Sequence, residues 1–452
     1  MSHLAAAPSV VRRNIIAIIG DVAFFMVGFS CFDPTTVMPQ FLRELGASPK
    51  LIGLISGLRL LVLFAPQPYV AHRVHGKRRV KPFLVTACLI GRLPMFLLFL
   101  LVWFYGKNYA LALWAFVFFS LLFIFTDGFS IVPWTEIIGK SVPETIRGRF
   151  FGAMQTVSSL AALVAPVLVS KVLSLRSLEF PRNYALLLLL MATGLLLSLL
   201  MLLLIHEPDT PPQEDPDRTF WEHLRRIPAL WRDDPALRWV LTTQFLLAGG
   251  GVASSFYVLY ARERFGLPES YVAIYLTAQT VGAVITGPLW GWMADRFGAV
   301  RALQAVVSLA LVPPLAALVM PVAWGFVLVF GCLGALAWSL WTAFTNTILS
   351  IAPPAERPTY IALQNFMNLP AATAPFIGGL IVSWAGYPAA FITTARLSST
   401  SSRELTAAKP MLASSWLSER RYSASSRALF KCRRPTSRTF SWPCGLSPTM
   451  VE

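Results

Sequence analysis

The feature that most constrains this chain is an apolar run of about 20 residues that recurs from the N-terminus almost to residue 385. A helix rises 1.5 Å per residue, so such a run matches the roughly 30 Å of hydrocarbon in a bilayer. One run would suit a buried core helix, whereas eleven in a chain of 452 residues exceed any soluble core. Composition agrees, since only 13% of the residues are charged, against roughly one quarter in soluble domains. The fold class is therefore all-α membrane protein.

Spans are expected near 14–37, 51–70, 83–105, 109–133, 150–172 and 184–205 in a first group, and near 237–260, 271–293, 300–320, 323–346 and 360–384 in a second. The charged, proline-rich stretch 206–236 separates them. Arg12 and Arg13 before the first apolar run superficially resemble a signal peptide, but the length of that run and Asp21 within it argue for a retained helix. The net charge of +16 does not point to nucleic acid, because the basic residues sit in short loops between apolar runs. Those loops orient the chain: with the N-terminus inside, 18 Lys or Arg fall in cytoplasmic segments and 8 in outer ones. A multi-pass protein of the cell membrane, with a cytoplasmic N-terminus, is the expected arrangement. The five cysteines are scattered and read as small apolar side chains.

The last 57 residues change character after FITTA, holding 13 Ser, 8 Arg and no apolar run of spanning length. They read as disordered, and a basic tail after an eleventh helix would lie on the outer face, against the charge bias. The expectation is that a twelfth helix starting near Gly386 is missing or replaced, by a reading-frame shift near Ala395 or by an error in the gene model. A native disordered tail is the alternative. The division expected is 1–205 for a first bundle, 206–236 for a cytoplasmic loop, 237–395 for a second bundle and 396–452 for the tail.

An internal repeat supports two related halves. SVPETIRGRFFGAMQTVSSLAALVAP has a counterpart about 210 residues later in APPAERPTYIALQNFMNLPAATAP, with Gln155 and Asn365 in matching places. YVAHRVHGKRR and WMADRFGAVR likewise follow the second helix of each half. GWMADRFGAVR, with Gly291, Asp295, Arg296, Gly298 and Arg301, resembles the cytoplasmic loop signature of the major facilitator superfamily, G-x-x-x-D-R-x-G followed by a basic residue. The resemblance covers residues 14–395 and implies two six-helix bundles with a midplane site between them. It implies that Asp295 and Arg296 make charge contacts holding the cytoplasmic side closed. The first-half copy departs from the signature: Pro68 and His72 replace the glycine and aspartate, while Arg73, Lys77, Arg78 and Arg79 remain. IRGRFFG is also similar to family sequences after the fourth helix, which makes Arg147 and Arg149 expected partners for cytoplasmic carboxylates such as Glu136. The fifth helix reads AALVAPVLVS without the glycine pair of the family's proton–drug antiporters, so antiport loses support.

Charges inside spans are costly and therefore functional candidates. Counting roughly 1.5 Å per residue places Asp21, Asp127, Arg59 and Arg92 at similar depths. The pairs expected are Asp127 with Arg92 and Asp21 with Arg59, either as structural staples or as a proton or substrate site. The second half offers amides instead, with Gln244, Gln279, Asn346 and Asn365 as candidates to line a polar cavity. No phosphate-binding loop and no metal-ligand spacing is present, so neither an enzyme nor a cofactor is expected. The leading function is secondary active transport of a small solute by alternating access, with protons as a candidate coupling ion, by a monomer in the bilayer. A transporter-like sensor and an inactive truncated transporter remain the alternatives.

Overall fold

A computed structural model of the chain describes residues 8–74, 77–142, 144–175, 177–208, 231–337, 339–352, 360, 363–364 and 367–431, and every regular element among them is helical. Within described helices the side chains of Pro68, His72, Arg147, Arg149 and Asp295 lie outside the description, as do those beyond Ala407. Most of the central loop 206–236 lies outside it too.

Backbone breaks divide several crossings in two. The first six are α1 (Pro8–Cys31) with α2 (Val37–Glu44), α3 (Pro49–Phe64) with α4 (Gln67–Val74), α5 (Lys81–Arg92) with α6 (Pro94–Tyr105), α7 (Tyr109–Ser141), α8 (Glu144–Ala162) with α9 (Val164–Leu173), and α10 (Arg182–Leu204). The second set is α11 (Pro235–Gly249), a 3-10 turn at Gly250–Ala253 and α12 (Tyr257–Phe265), then α13 (Ser270–Phe297), α14 (Ala299–Leu309) with α15 (Val312–Val319), α16 (Gly325–Ala337) with α17 (Ser339–Ile351), and α18 (Ala374–Lys431). Several breaks have plain causes: Pro34, Pro66 and Pro94 lack the N–H that would continue a helix.

Nine described stretches are long and apolar enough to cross a membrane. Two expected spans are not among them because breaks shorten their helices: α3 has 16 residues and α16 has 13. The final apolar stretch, Ala374–Ala407, counts once but folds back at Gly386, where φ of 78° is a conformation open to glycine. It therefore supplies the eleventh crossing and a twelfth.

This corrects the reading of the tail. A helix continues from Gly386 to Lys431, so the twelfth position is replaced, not missing. Phe391, Ser398, Ser401 and Leu405 are buried there. Phe391 stacks on Tyr257 at 4.9 Å, and Ser401 donates to the Thr243 carbonyl at 3.0 Å. Hydropathy missed this helix because its hydroxyls bond back into it: Thr393 donates to the Ala389 carbonyl at 2.8 Å and Thr400 to that of Arg396 at 3.0 Å. Residues 432–452 of the expected disordered tail lie outside the described residues.

Call the face where α1 begins the near face and the opposite one the far face. The buried apolar residues form three clusters. One, on the far side, is shared by both halves and includes Phe32, Phe41 and Tyr184 with Phe256, Tyr275 and Phe391. On the near side each half has its own, around Ile18, Val70 and Ile138 in the first and around Leu241, Leu303 and Phe344 in the second.

Candidate functional site

The first and seventh crossings, which correspond in the two halves, are both broken. Residues 32–36 interrupt one and 250–256 the other, so α2 and α12 are short separate pieces on the far side. Each carries adjacent opposite charges, and they meet: Arg43 pairs with Glu263 at 3.0 Å and Arg262 with Glu44 at 3.1 Å. Further cross-half bonds lie in the same region. Asn183 donates to Glu269 at 3.0 Å, the Thr35 hydroxyl lies 3.1 Å from the Gln279 side-chain amide, and Ser255 donates to Ser56 at 3.0 Å. Beside them α3 lies directly on the start of α18 and the 3-10 turn before it (Leu369–Ala372), where Gly53 and Gly57 leave no room for a Cβ against the carbonyls of Pro375 and Ala372. The far face is thus sealed by charge pairs, amides and backbone-to-backbone contact.

Glu269, just outside its span, is pushed above the ordinary glutamate range by burial and by nearby Glu44, with Arg262 and the Asn183 hydrogen bond opposing. A carboxyl that holds its proton more tightly in the sealed state favours sealing when protonated. The contribution is present in acid and is lost as pH rises through the raised value. Labelling of Ser255→Cys from the far face, in a background without native cysteines, is expected to fall as pH is lowered. Glu269→Gln is expected to keep labelling low at every pH, and an unchanged pH profile in that variant contradicts this assignment.

In the first half, the structure exchanges the expected ion pairs. Asp21, only 3% exposed, accepts from the Ser198 hydroxyl and, at 2.9 Å, from the Trp134 indole N–H. Arg92 donates to Ser198 at 2.8 Å, lies 3.9 Å from Asp21 and stands over the Phe25 ring. Asp21 thus joins Arg92, not Arg59, because α1 packs on α10 and α8 while α3 packs on α7 and α18. The network links the first, third, fourth and sixth crossings. Asp127, expected to pair with Arg92, makes no ion pair or hydrogen bond among the described residues, although Arg92 and Asp21 act on it electrostatically.

Arg59 is 8% exposed and equally unpaired among the described residues. The acid that acts on it is Asp33. One oxygen of Asp33 accepts from the Thr35 and Thr36 amides at 2.8 and 2.9 Å and from their hydroxyls at 2.6 and 3.0 Å, which fixes the turn between α1 and α2.

The amide candidates separate. Gln244 is buried and ties α11 to the eleventh crossing through Asn368 at 2.7 Å and the Gln364 carbonyl at 3.2 Å, which makes it a helix tie. Gln279 takes part in the far-face seal, Asn346 is exposed, and Asn365 lies outside the described residues.

At the near face, Gly298 has φ of 94° and turns the chain between α13 and α14, whereas Gly291 has open space around it. Arg296 stands 5.8 Å from the Trp292 and Phe297 rings, Arg301 is exposed, and the Asp295 side chain lies outside the description. Arg73 bonds Tyr69 at 3.2 Å. Glu136 is 3.6 Å from Lys140, one turn away. Lys140 also reaches Glu207 at 3.3 Å. Glu207, unnoticed in the sequence, is buried and accepts from the Val80 and Lys81 amides at the start of α5. Its only signal was being the first carboxylate after the sixth span.

Residues 21–368 and again 244–401 match the model of the Major Facilitator Superfamily. The chain belongs to this superfamily. Similar solved structures include the nucleoside transporter NupG as a D323A mutant, at 13% identity and a TM-score of 0.66 over 87% of this chain and 99% of that one. The human organic anion transporter MFSD10 gives 17% and 0.58 over 88% and 100%. A bacterial homologue of the human lysosomal transporter Spinster, inward-facing and unoccupied, gives 14% and 0.58 over 92% and 98%. At these identities the likeness is one of fold.

Proposed function

We propose that this protein is a secondary active transporter that moves a small solute by alternating access, with the near face cytoplasmic and the far face outside. The observation that carries the reading is the division of the core: one apolar cluster joins the halves on the far side, and two separate ones serve them on the near side. Two bodies joined at one face and independent at the other can rock about the space between them. In this reading the structure is the outwardly closed state, and α2 and α12 are the elements that part. Twelve crossings also return the basic tail to the cytoplasmic face, where the eight Lys or Arg beyond Ala407 join 18 others against 8 outside. Asp127 is the proposed proton carrier, since its carboxylate is unpaired and Asp21 is saturated.

A cysteine pair replacing Arg43 and Glu263, in a chain free of other cysteines, tests the gate. Flux of a solute panel into proteoliposomes, with and without a pH gradient, is expected to stop on cross-linking and to return on reduction. Undiminished flux with the seal locked contradicts alternating access at this gate.

A further inference from the structure

Resting on the transport reading, we infer that the solute is an organic anion whose carboxylate or phosphate is held by Arg59. Ser56 and Arg59 are three residues apart on α3 and share a face. Ser56 faces the other half, where Ser255 donates to it at 3.0 Å, so Arg59 lies one turn deeper, just beneath the seal. A guanidinium offers five N–H donors in a planar fork. Among the described residues none of those donors meets an acceptor, although Arg59 is 92% buried by the 8% it leaves exposed.

Among the described residues no carboxylate comes within ion-pairing reach of Arg59. The first-half network is closed around Arg92, with Asp21 committed to Ser198 and Trp134. Asp33 acts on Arg59 from beyond ion-pairing reach, and one of its oxygens already takes four donors from the turn at 33–36. The Thr35 hydroxyl of that turn lies 3.1 Å from the Gln279 side-chain amide, which brings a further polar group from the second half to the same place. Arg59 and Gln279 come from opposite halves and gather at the break in the first crossing. Donors without acceptors, on a buried cation between two bodies, call for an acceptor from outside the chain. A carboxylate or phosphate meets the fork with two parallel bonds, which a neutral oxygen does not match. Such a ligand would also neutralise the charge while the halves rock, so loaded and empty carriers would differ in the cost of the buried cation. A purely structural arginine would instead be partnered at rest.

The experiment measures ligand-induced thermal stabilisation of the full chain in detergent. Its probes are benzoate and phenyl phosphate, with benzamide and benzyl alcohol as neutral counterparts of similar shape. Wild type is expected to be stabilised by at least one anion and by neither neutral compound. Arg59→Gln is expected to weaken anion binding by about 10- to 100-fold, as loss of charged hydrogen bonds does. Arg59→Lys, which keeps the charge but loses the fork, is expected to fall between. Because the guanidinium is unpartnered, Arg59→Gln without ligand should melt no lower than wild type. A lowered melting temperature, stabilisation by anions that survives in Arg59→Gln, or no preference of wild type for anions overturns the proposal. Anion binding without flux in vesicles would keep the anion site and sink the transport reading. Flux of neutral solutes alone, unchanged in Arg59→Gln, would do the reverse.

Discussion

Arg92→Leu is expected to cost about 3–5 kcal/mol of stability, the range for removing one partner of a buried ion pair. The reasoning is asymmetric. In the intact chain the Asp21 carboxylate is satisfied by Ser198, Trp134 and the Arg92 charge 3.9 Å away. Leucine would leave two carboxylates, Asp21 and Asp127, with no compensating cation among the groups that act on Asp127. Asp21→Asn keeps one acceptor oxygen, which can serve Trp134 while its amide donates to the Ser198 oxygen, and lets Arg92 turn to Asp127, so a smaller loss is expected. The double variant Asp21→Asn/Arg92→Leu should recover part of the single-variant loss, because it no longer buries an unpaired Asp21 charge. Reversible denaturation in mixed micelles gives these values, with Trp134 as an intrinsic reporter. A neutral Arg92→Leu with abolished flux would instead place the pair in the transport cycle.

The spans were legible because a bilayer imposes length and apolarity, and both are written in composition. The third, sixth and ninth were expected at 83–105, 184–205 and 300–320, and lie at Lys81–Tyr105, Arg182–Leu204 and Ala299–Val319. Charges at depth were legible for the same reason, which is how Asp21, Arg59, Arg92 and Asp127 were found. Their partners were not. Depth along a helix is a count of residues, but pairing depends on the rotation of each helix and on which helices are neighbours, and α1 faces α10 and not α3. The far-face gate was illegible because Arg43, Glu44, Arg262 and Glu263 look like ordinary loop charges until the breaks at 32–36 and 250–256 bring α2 and α12 together. A better signal was present. The first and seventh spans hold the strings CFDPTT and GGGVASS at corresponding positions, and interrupted segments repeated in both halves mark a site more reliably than single polar residues.

Phe391→Ala is expected to cost about 3 kcal/mol, the low end for truncating a fully buried phenylalanine. The prediction turns on whether the segment after Gly386 is part of the folded protein. If it were a frayed tail, no side chain in it could matter. In the structure Phe391 is fully buried, stacked on Tyr257 at an interplanar angle of 7° and edge-on to Tyr260 at 5.1 Å. Both tyrosines belong to α12, the element proposed to part when the far face opens. Loss of the ring would therefore open a cavity behind the gate and also loosen the piece that carries Arg262 and Glu263. Two readouts follow, a lowered melting temperature and increased far-face labelling of Ser255→Cys. Ile392→Ala, next to Phe391 but on the exposed face of the same helix, is the control expected to change neither. Equal, negligible effects of the two substitutions would restore the reading of a disordered tail. A selective loss at Phe391 would establish that a serine-rich helix, held by hydroxyl-to-carbonyl bonds along its own backbone, fills the twelfth position and supports the gate from behind.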